Sequence, residues 1–195
     1  CSKSDLQVRG FKIQKPFILS TNRHYPQKGM EYLIQLTARL LRNAEATLVL
    51  TGEFTSHTPQ LIRLARTLGV LRNVVFTNLL LEGELVRLYQ NADVYAYTSP
   101  EEDFGLGPVE AMSCGTPPVV WDRAGPSEIV GDGETGLKAQ PYSLDDFEEK
   151  VSLLLRNHEL NRRIGEAGRR FVVQNLSWEK HVRTIESVLA QAAER

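Results

Sequence analysis

The residues best able to do chemistry lie between Tyr97 and Val120, in the run Y-T-S-P-E-E-D-F-G-L-G-P-V-E-A-M-S-C-G-T-P-P-V-V. Two glutamates frame its centre: Glu102, then a turn bracketed by Gly105 and Gly107, then Glu110, with seven residues between the acids. Val94 to Tyr97 is a short β-favouring run, and Thr98-Ser99-Pro100 breaks it, because proline cannot donate to a strand ladder. Pro108 suits a first helical position, where its missing N–H costs nothing. Val109 to Cys114 continue that helix, and Gly115 with Thr116-Pro117-Pro118 stops it. A strand, a glycine-bearing turn and a helix N-terminus form a device for binding anions or hydroxyls, since unpaired backbone N–H groups point outward there. The acids also have a plainer reading. Glu110 falls near the third helical position, where a carboxylate complements the dipole, and Glu102 belongs to a solvated acidic run with Glu101 and Asp103.

The elements that must position this turn alternate along the chain. Apolar runs at 16–20, 46–51, 73–77, 94–97, 118–121 and 137–139 read as buried strands. Between them, helices are expected at 30–41, with Leu33, Leu36, Leu40 and Leu41 on one face, at 60–68 after Pro59, and at 82–91 with Leu85, Leu88 and Tyr89 turned inward. Ser127 or Glu128 is a good start for a short helix after 118–121, and 131–136 is a turn cluster. Ser143 can cap a helix bearing Phe147, Val151 and Leu154. A further helix follows at 157–173, and Ser177 can cap a last one with Trp178, Val182, Ile185, Val188 and Leu189 along one side. Residues 1–15, with Lys3, Asp5, Gln7, Arg9 and Lys12, show little apolar periodicity and read as a lead-in. Alternating strands and helices predict an α/β fold, a doubly wound parallel sheet of Rossmann-like type, which binds ligands outside the carboxyl ends of its strands. Arg23, Lys28, Phe76, Glu102 and Glu110 all fall at or after strand ends, so one pocket can gather them.

At 195 residues and a net charge of −1, the chain suits one domain and argues against non-specific nucleic-acid binding, which needs a basic excess. Arg162, Arg163, Arg169 and Arg170 accordingly read as a solvated helix face. Two cysteines, Cys1 and Cys114 (the latter in an expected buried helix), make neither a disulfide framework nor a metal cluster and point to a reducing compartment. No apolar run approaches the roughly twenty residues that span a bilayer, and no signal segment opens the chain, so a soluble, cytoplasmic protein is expected. Cys1 in place of an initiator methionine reads as a fragment.

The Glu102 to Glu110 run, with Phe104-Gly105-Leu106 inside it and Ala111-Met112 after it, resembles the signature of retaining nucleotide-sugar glycosyltransferases. The match is to glycosyltransferase family four, which includes sucrose synthases and bacterial mannosyl- and glucosyltransferases. The resemblance implies that Glu102 meets the donor sugar, that the amides of Phe104, Gly105 and Leu106 bind its hydroxyls, and that Glu110 holds the ribose. After its first strand the family carries a glycine-arginine pair, with lysine-glycine five residues past the arginine. Arg23 and Lys28-Gly29 keep that spacing, with Asn22 in place of the glycine. Two cations there can neutralise a nucleotide diphosphate without a metal, since opposite charges about 4 Å apart gain roughly 4 kcal/mol at an effective dielectric near 20. The alternative is that both are surface charges near a helix start, although cations are misplaced at that end of a dipole. By the same resemblance Phe76, Thr77 and Leu80 lie beside the nucleobase, while the Phe76 ring also suits the core. The segment 122–130 is similar to the family's Gly-Gly-x-x-Glu-x-Val, with Ala124 replacing one glycine.

The resemblance covers residues 16 to 190 and corresponds to the carboxy-terminal, donor-binding half of the two-domain GT-B architecture. It implies a lead-in or interdomain segment at 1–15, a donor domain at 16–176, and a helix at 177–195 that packs on the absent amino-terminal half. It implies a hexosyltransferase that moves a sugar from a UDP-, GDP- or ADP-sugar to an acceptor hydroxyl, on a sugar, lipid or other compound held by the missing half. Arg23 and Lys28 would stabilise the departing diphosphate, and Glu102 would orient the sugar and support a cationic transition state. No cofactor and no divalent metal is implied, nor any nucleic-acid partner or transmembrane segment. The full-length protein would work in the cytoplasm or at a membrane surface, while the isolated domain would turn over little. A nucleotide-sugar epimerase of the same architecture is an alternative, although the Phe-Gly-Leu turn speaks against it. A non-catalytic nucleotide-sugar-binding module is another.

Overall fold

The computed structural model describes residues 6–42 and 45–193. Runs of four or five β-branched, aromatic and leucine residues are too short for stable helices and bury best as strands covered on both faces. Such runs form β3 (Phe17–Thr21), β4 (Thr47–Thr51), β5 (Val74–Asn78), β6 (Val94–Tyr97), β7 (Pro118–Trp121) and the shorter β8 (Leu137–Ala139), behind an amino-terminal hairpin of β1 (Leu6–Val8) and β2 (Phe11–Ile13). Strands β3 to β8 make one six-stranded sheet in the order β5-β4-β3-β6-β7-β8. Every pairing in it is parallel. The chain runs outward from β3 to β5 on one side, returns, and runs outward from β6 to β8 on the other. The direction of winding therefore reverses between β3 and β6, where such sheets open a crevice at their carboxyl ends.

Helices cover both faces. On one lie α1 (Met30–Leu40), α2 (Thr58–Thr67) and α6 (Leu144–Arg156). On the other lie α3 (Glu82–Asn91), α4 (Leu106–Ser113) and α7 (His158–Asn175). Alternation along each strand feeds two cores. Ile18, Leu48, Leu50, Val94 and Ala96 pack with Leu33, Leu61 and Phe147, while Phe17, Leu19, Val49 and Tyr95 pack with Leu88, Met112 and Val172. The short α5 (Ala124–Ile129) follows β7, and α8 (Trp178–Ala193) ends the described chain. The doubly wound parallel sheet is thus present as expected. Ser143 caps α6 by accepting the Asp146 N–H, and Asn157 caps α7 by accepting that of Leu160. Among the described residues, no helix is long and apolar enough to cross a membrane.

Four local expectations differ from the structure. The lead-in contains the hairpin, whose Leu6, Val8 and Ile13 are buried against the second core around a turn at Arg9 and Gly10. Cys1, Lys3 and Asp5 lie outside the described residues. Helix α4 begins at Leu106 rather than Pro108, because Gly105 adopts a left-handed φ of 88° and serves as its N-cap. Pro108 is then the third helical residue, still among those whose N–H has no intrahelical partner, and Glu110 is the fifth, too deep to cap. Ser127 and Glu128 lie inside α5, whose N-cap is Arg123; the Ser127 hydroxyl donates to Asp122 instead. Cys114 is the half-buried residue that follows α4.

Candidate active site

At the reversal point, beyond the carboxyl ends of β3 and β6, a cleft of about 410 Å³ opens. Its walls include Asn22, Arg23, Lys28, Glu102, Phe104, Gly105, Leu106 and Glu110. Chain segments some seventy residues apart meet here because β3 and β6 pair directly, Ile18 with Val94 and Leu19 with Tyr95.

The basic wall comes from the loop after β3. A 3-10 turn at Pro26–Lys28 ends at Gly29, whose φ of 65° and whose nearness to Thr98 exclude a side chain: a Cβ would lie 2.5 Å from the Thr98 carbonyl oxygen. That loop is stitched to the end of β6, where the Thr98 hydroxyl donates to the Gly29 carbonyl at 2.8 Å and the Trp121 indole N–H donates to the Thr98 carbonyl at 3.1 Å. Lys28 is thereby held beside Glu102, with Nζ 2.7 Å from Oε2. Arg23 is exposed at the rim, its guanidinium 5.5 Å from the centre of the Tyr25 ring. Asn22 donates its backbone N–H to the Thr51 carbonyl at 2.9 Å, so the residue that replaces glycine continues the line of β3 before the loop turns. Next to Arg23, His24 is fully buried, and burial reinforced by the nearby His57 pulls its pKa down to about 4. The imidazole is therefore neutral at physiological pH and adds no third cation.

The acidic wall comes from the loop after β6 and from α4. The Glu102 carbonyl accepts the Gly125 N–H at 2.9 Å, anchoring its loop to the start of α5. Oε2 of Glu102 also accepts from the Tyr97 hydroxyl at 2.7 Å. Partial burial pushes the Glu102 pKa up, but the hydrogen bonds from Lys28 and Tyr97, with the Lys28 charge, outweigh it and hold the carboxyl below its ordinary range. Glu110 projects from α4 and its Oε2 accepts from the Tyr89 hydroxyl at 2.6 Å. The Phe104 and Leu106 side chains are exposed beside buried Gly105, and the first turn of α4 presents N–H groups that have no intrahelical partner.

The structure thus brings together Arg23, Lys28, Glu102, Phe104, Gly105, Leu106 and Glu110, but not the remaining three predicted residues. Phe76 packs against the first core, Thr77 is buried and bonds the Asn78 carbonyl, and Leu80 packs against the second core. All three lie at or just past the end of β5, two strands from β3. Sequence reasoning missed Tyr97, Tyr89, Tyr95 and Thr21. The signal was available: a buried phenol needs a partner for its hydroxyl, and Tyr95 and Tyr97 share one face of a strand that ends at the acidic loop. The cleft as built has two cations near two oriented carboxylates, with helix N–H groups between them. That combination suits a ligand bearing both negative charge and hydroxyl groups.

Comparison with known proteins identifies relatives of this chain. The chain is 33% identical over 163 residues to a D-inositol 3-phosphate glycosyltransferase of Nocardia farcinica, covering 80% of this chain and 36% of that protein. It is 34% identical over 177 residues to an MMP α-(1→4)-mannosyltransferase of Mycolicibacterium hassiacum, covering 89% of this chain and 42% of that protein. The chain therefore spans less than half the length of these relatives. Its fold matches that of HepE from Anabaena, solved in complex with UDP and glucose, with a TM-score of 0.83 over 90% of this chain and 48% of HepE, at 23% identity. The sequence pattern of the glycosyl transferases group 1 matches residues 2–171, nearly all of the doubly wound unit, and the chain belongs to that family.

Proposed function

We propose that this chain is the donor-binding half of a retaining, family-four glycosyltransferase that moves a hexosyl group from a nucleotide-diphosphate sugar to an acceptor hydroxyl. The observation that carries this reading is the single cleft at the winding reversal, walled by Arg23 and Lys28 on one side and Glu102 and Glu110 on the other. The names of the two relatives and the UDP held by HepE support a nucleotide-sugar donor. The retaining assignment rests on the likeness of the Glu102 to Glu110 run to the family-four signature.

In the proposed reaction the bond between the sugar's anomeric carbon and the diphosphate oxygen breaks, and the electron pair leaves with the diphosphate. Arg23 and Lys28 stabilise the charge that develops there, the first with a planar fork and the second as a point charge. Glu102 and the amides of Phe104, Gly105 and Leu106 orient the sugar, and the Glu102 carboxylate stabilises the cationic sugar. The acceptor hydroxyl attacks from the face the diphosphate leaves, and its proton passes to a departing phosphate oxygen. Glu110 holds the ribose, and the nucleobase lies toward the Phe76 to Leu80 segment, where Thr77 is buried and Phe76 and Leu80 are half-buried against the cores. The two cations serve the leaving group without calling on a divalent metal.

The acceptor belongs to an amino-terminal half beyond this chain, with residues 1–15 as the lead-in between the halves. Trp178, 79% exposed, and the exposed Val182, Ile185, Val188 and Leu189 of α8 suit packing against that half. The whole enzyme would act in the cytoplasm or at a membrane surface, and this half alone would bind donor while turning over little.

Calorimetric titration of the chain with UDP, GDP and ADP, without added metal, tests the reading. One diphosphate binds, and Lys28→Ala and Glu110→Ala each weaken it by about tenfold or more, as expected for loss of a charge-assisted contact. Absence of binding at millimolar concentration, both for this chain and for the protein completed by its amino-terminal half, overturns it.

A further inference from the structure

Behind Glu110 the structure holds three hydroxyls in line. The Tyr89 hydroxyl is 2.6 Å from Glu110 Oε2. Thr21 Oγ1 is 2.7 Å from the Tyr89 oxygen and 2.8 Å from the Tyr95 oxygen. Proton bookkeeping fixes the direction of the chain. An ionised carboxylate only accepts, so Tyr89 must donate to it. Having given its one proton, Tyr89 must accept from Thr21, which in turn must accept from Tyr95. Three protons fill three hydrogen bonds, all pointing toward Glu110. Burial, reinforced by neighbouring Tyr95 and Glu110, raises the Tyr89 pKa well above its ordinary value. Burial likewise raises that of Tyr95, against opposing hydrogen bonds from Thr21, so both phenols stay protonated donors.

We infer that Tyr89, backed by Thr21 and Tyr95, is a positioning residue that holds Oε2 of Glu110 so that its other oxygen is presented to the vicinal hydroxyls of a ribose. This rests on the assignment of Glu110 to the ribose. Glu110 is itself exposed on the cleft side of α4, and a glutamate in that setting samples several rotamers that a ligand must freeze. The phenol removes part of that freedom before the ligand arrives, which is preorganisation. Tyr89 (2% exposed) and Tyr95 (fully buried) stand at fixed points of the second core, their ring centres 5.6 Å apart. The relay therefore transmits the rigidity of the core to an otherwise mobile surface acid. Its effect falls first on the ribose, because Lys28, on the diphosphate side, is hydrogen-bonded to Glu102 and not to the hydroxyls of this relay.

The test compares two probes on the chain and its variants: whichever of UDP, GDP and ADP binds, and the 2′,3′-dideoxy form of the same nucleotide. The wild-type chain prefers the ribose form by about tenfold, since the dideoxy form leaves the acid without its partners. Tyr89→Phe and Thr21→Val reduce that preference to about threefold or less while leaving dideoxy affinity unchanged, whereas Thr21→Ser, which keeps a hydroxyl, retains it. Thermal unfolding of each variant checks that it is folded. A Tyr89→Phe chain that keeps the full preference, or loses affinity equally for both probes, overturns the inference while the donor-binding reading stands. If Glu110→Ala keeps the preference, the ribose assignment fails and the inference with it. If the wild-type chain and its completed form bind no nucleotide, the donor-binding reading itself has failed.

Discussion

Glu102 sits where opposing influences on a carboxylate meet. Burial alone would raise its pKa, and the lowered value exists because Lys28 and Tyr97 both donate to the same oxygen. Removing either donor should therefore raise the Glu102 pKa, and the Lys28→Met, Tyr97→Phe double variant should carry it above the ordinary carboxylate value, leaving burial unopposed. Carboxyl-carbon NMR titration of the single and double variants checks this; a double variant that still titrates below the ordinary value would contradict it. The sign for stability follows. A carboxyl whose folded pKa is depressed contributes stability above its unfolded pKa, near 4.5, and that contribution is lost as pH falls through the folded value. Lys28 neutralises Glu102, and under the proposed function a diphosphate would offer it a more highly charged partner while Tyr97 keeps its hold on the acid.

At the scale of elements, one tight constraint is the fit of α4 against β6. A Cβ on Gly107, in the first turn of α4, would lie 2.1 Å from the Tyr95 hydroxyl oxygen and 3.1 Å from Thr21 Oγ1. Gly107→Ala should cost about 1–3 kcal/mol of stability, as overpacking does, and should displace Glu110 enough to weaken nucleotide binding. Chemical denaturation gives the first effect and calorimetry the second. Gly83→Ala in α3, where nothing lies within 4 Å, is the control expected to keep its stability. Elements of this kind divide cleanly by how readable they were. Strands β6, β7 and β8 and helix α3 match their sequence bounds because an apolar run or face ends at strong turn or cap residues. The hairpin escaped because each strand is only three residues long and carries Gln7 or Lys12 at its centre. The start of α4 escaped because glycine allows a left-handed φ without revealing that it uses one, so Pro108 looked like the first residue rather than the third. The charged residues of the site were legible from type and spacing. That Tyr97 and Tyr95 need hydroxyl partners was legible too, but which partner each takes was not, because Thr21 lies 68 and 74 positions from the tyrosines it pairs with.

For the whole molecule, α8 stands apart from the two cores. None of its residues is buried, although Trp178, Val182, Ile185, Val188 and Leu189 form an apolar side. A chain ended after Leu176 should therefore unfold within about 2 °C of the longer one, since removing unburied surface changes little. A fall of more than about 5 °C in a thermal melt would mean that α8 packs on this domain itself. The rest behaves as one unit, because β3 lies between the two winding directions and both cores draw on it.

The pairing of β3 with β6 also sets an order of events during synthesis. Lys28 precedes its partner Glu102 by 74 residues, and translation adds roughly 5–20 residues per second. For about 4 to 15 seconds the basic loop has been made while its carboxylate partner has not. Late in that interval the nascent chain contains the first three strands of the sheet, with one flank of β3 unpaired and a cationic loop after it. Arrival of β6 closes the open flank, and the loop that follows it supplies the carboxylate that pairs with Lys28.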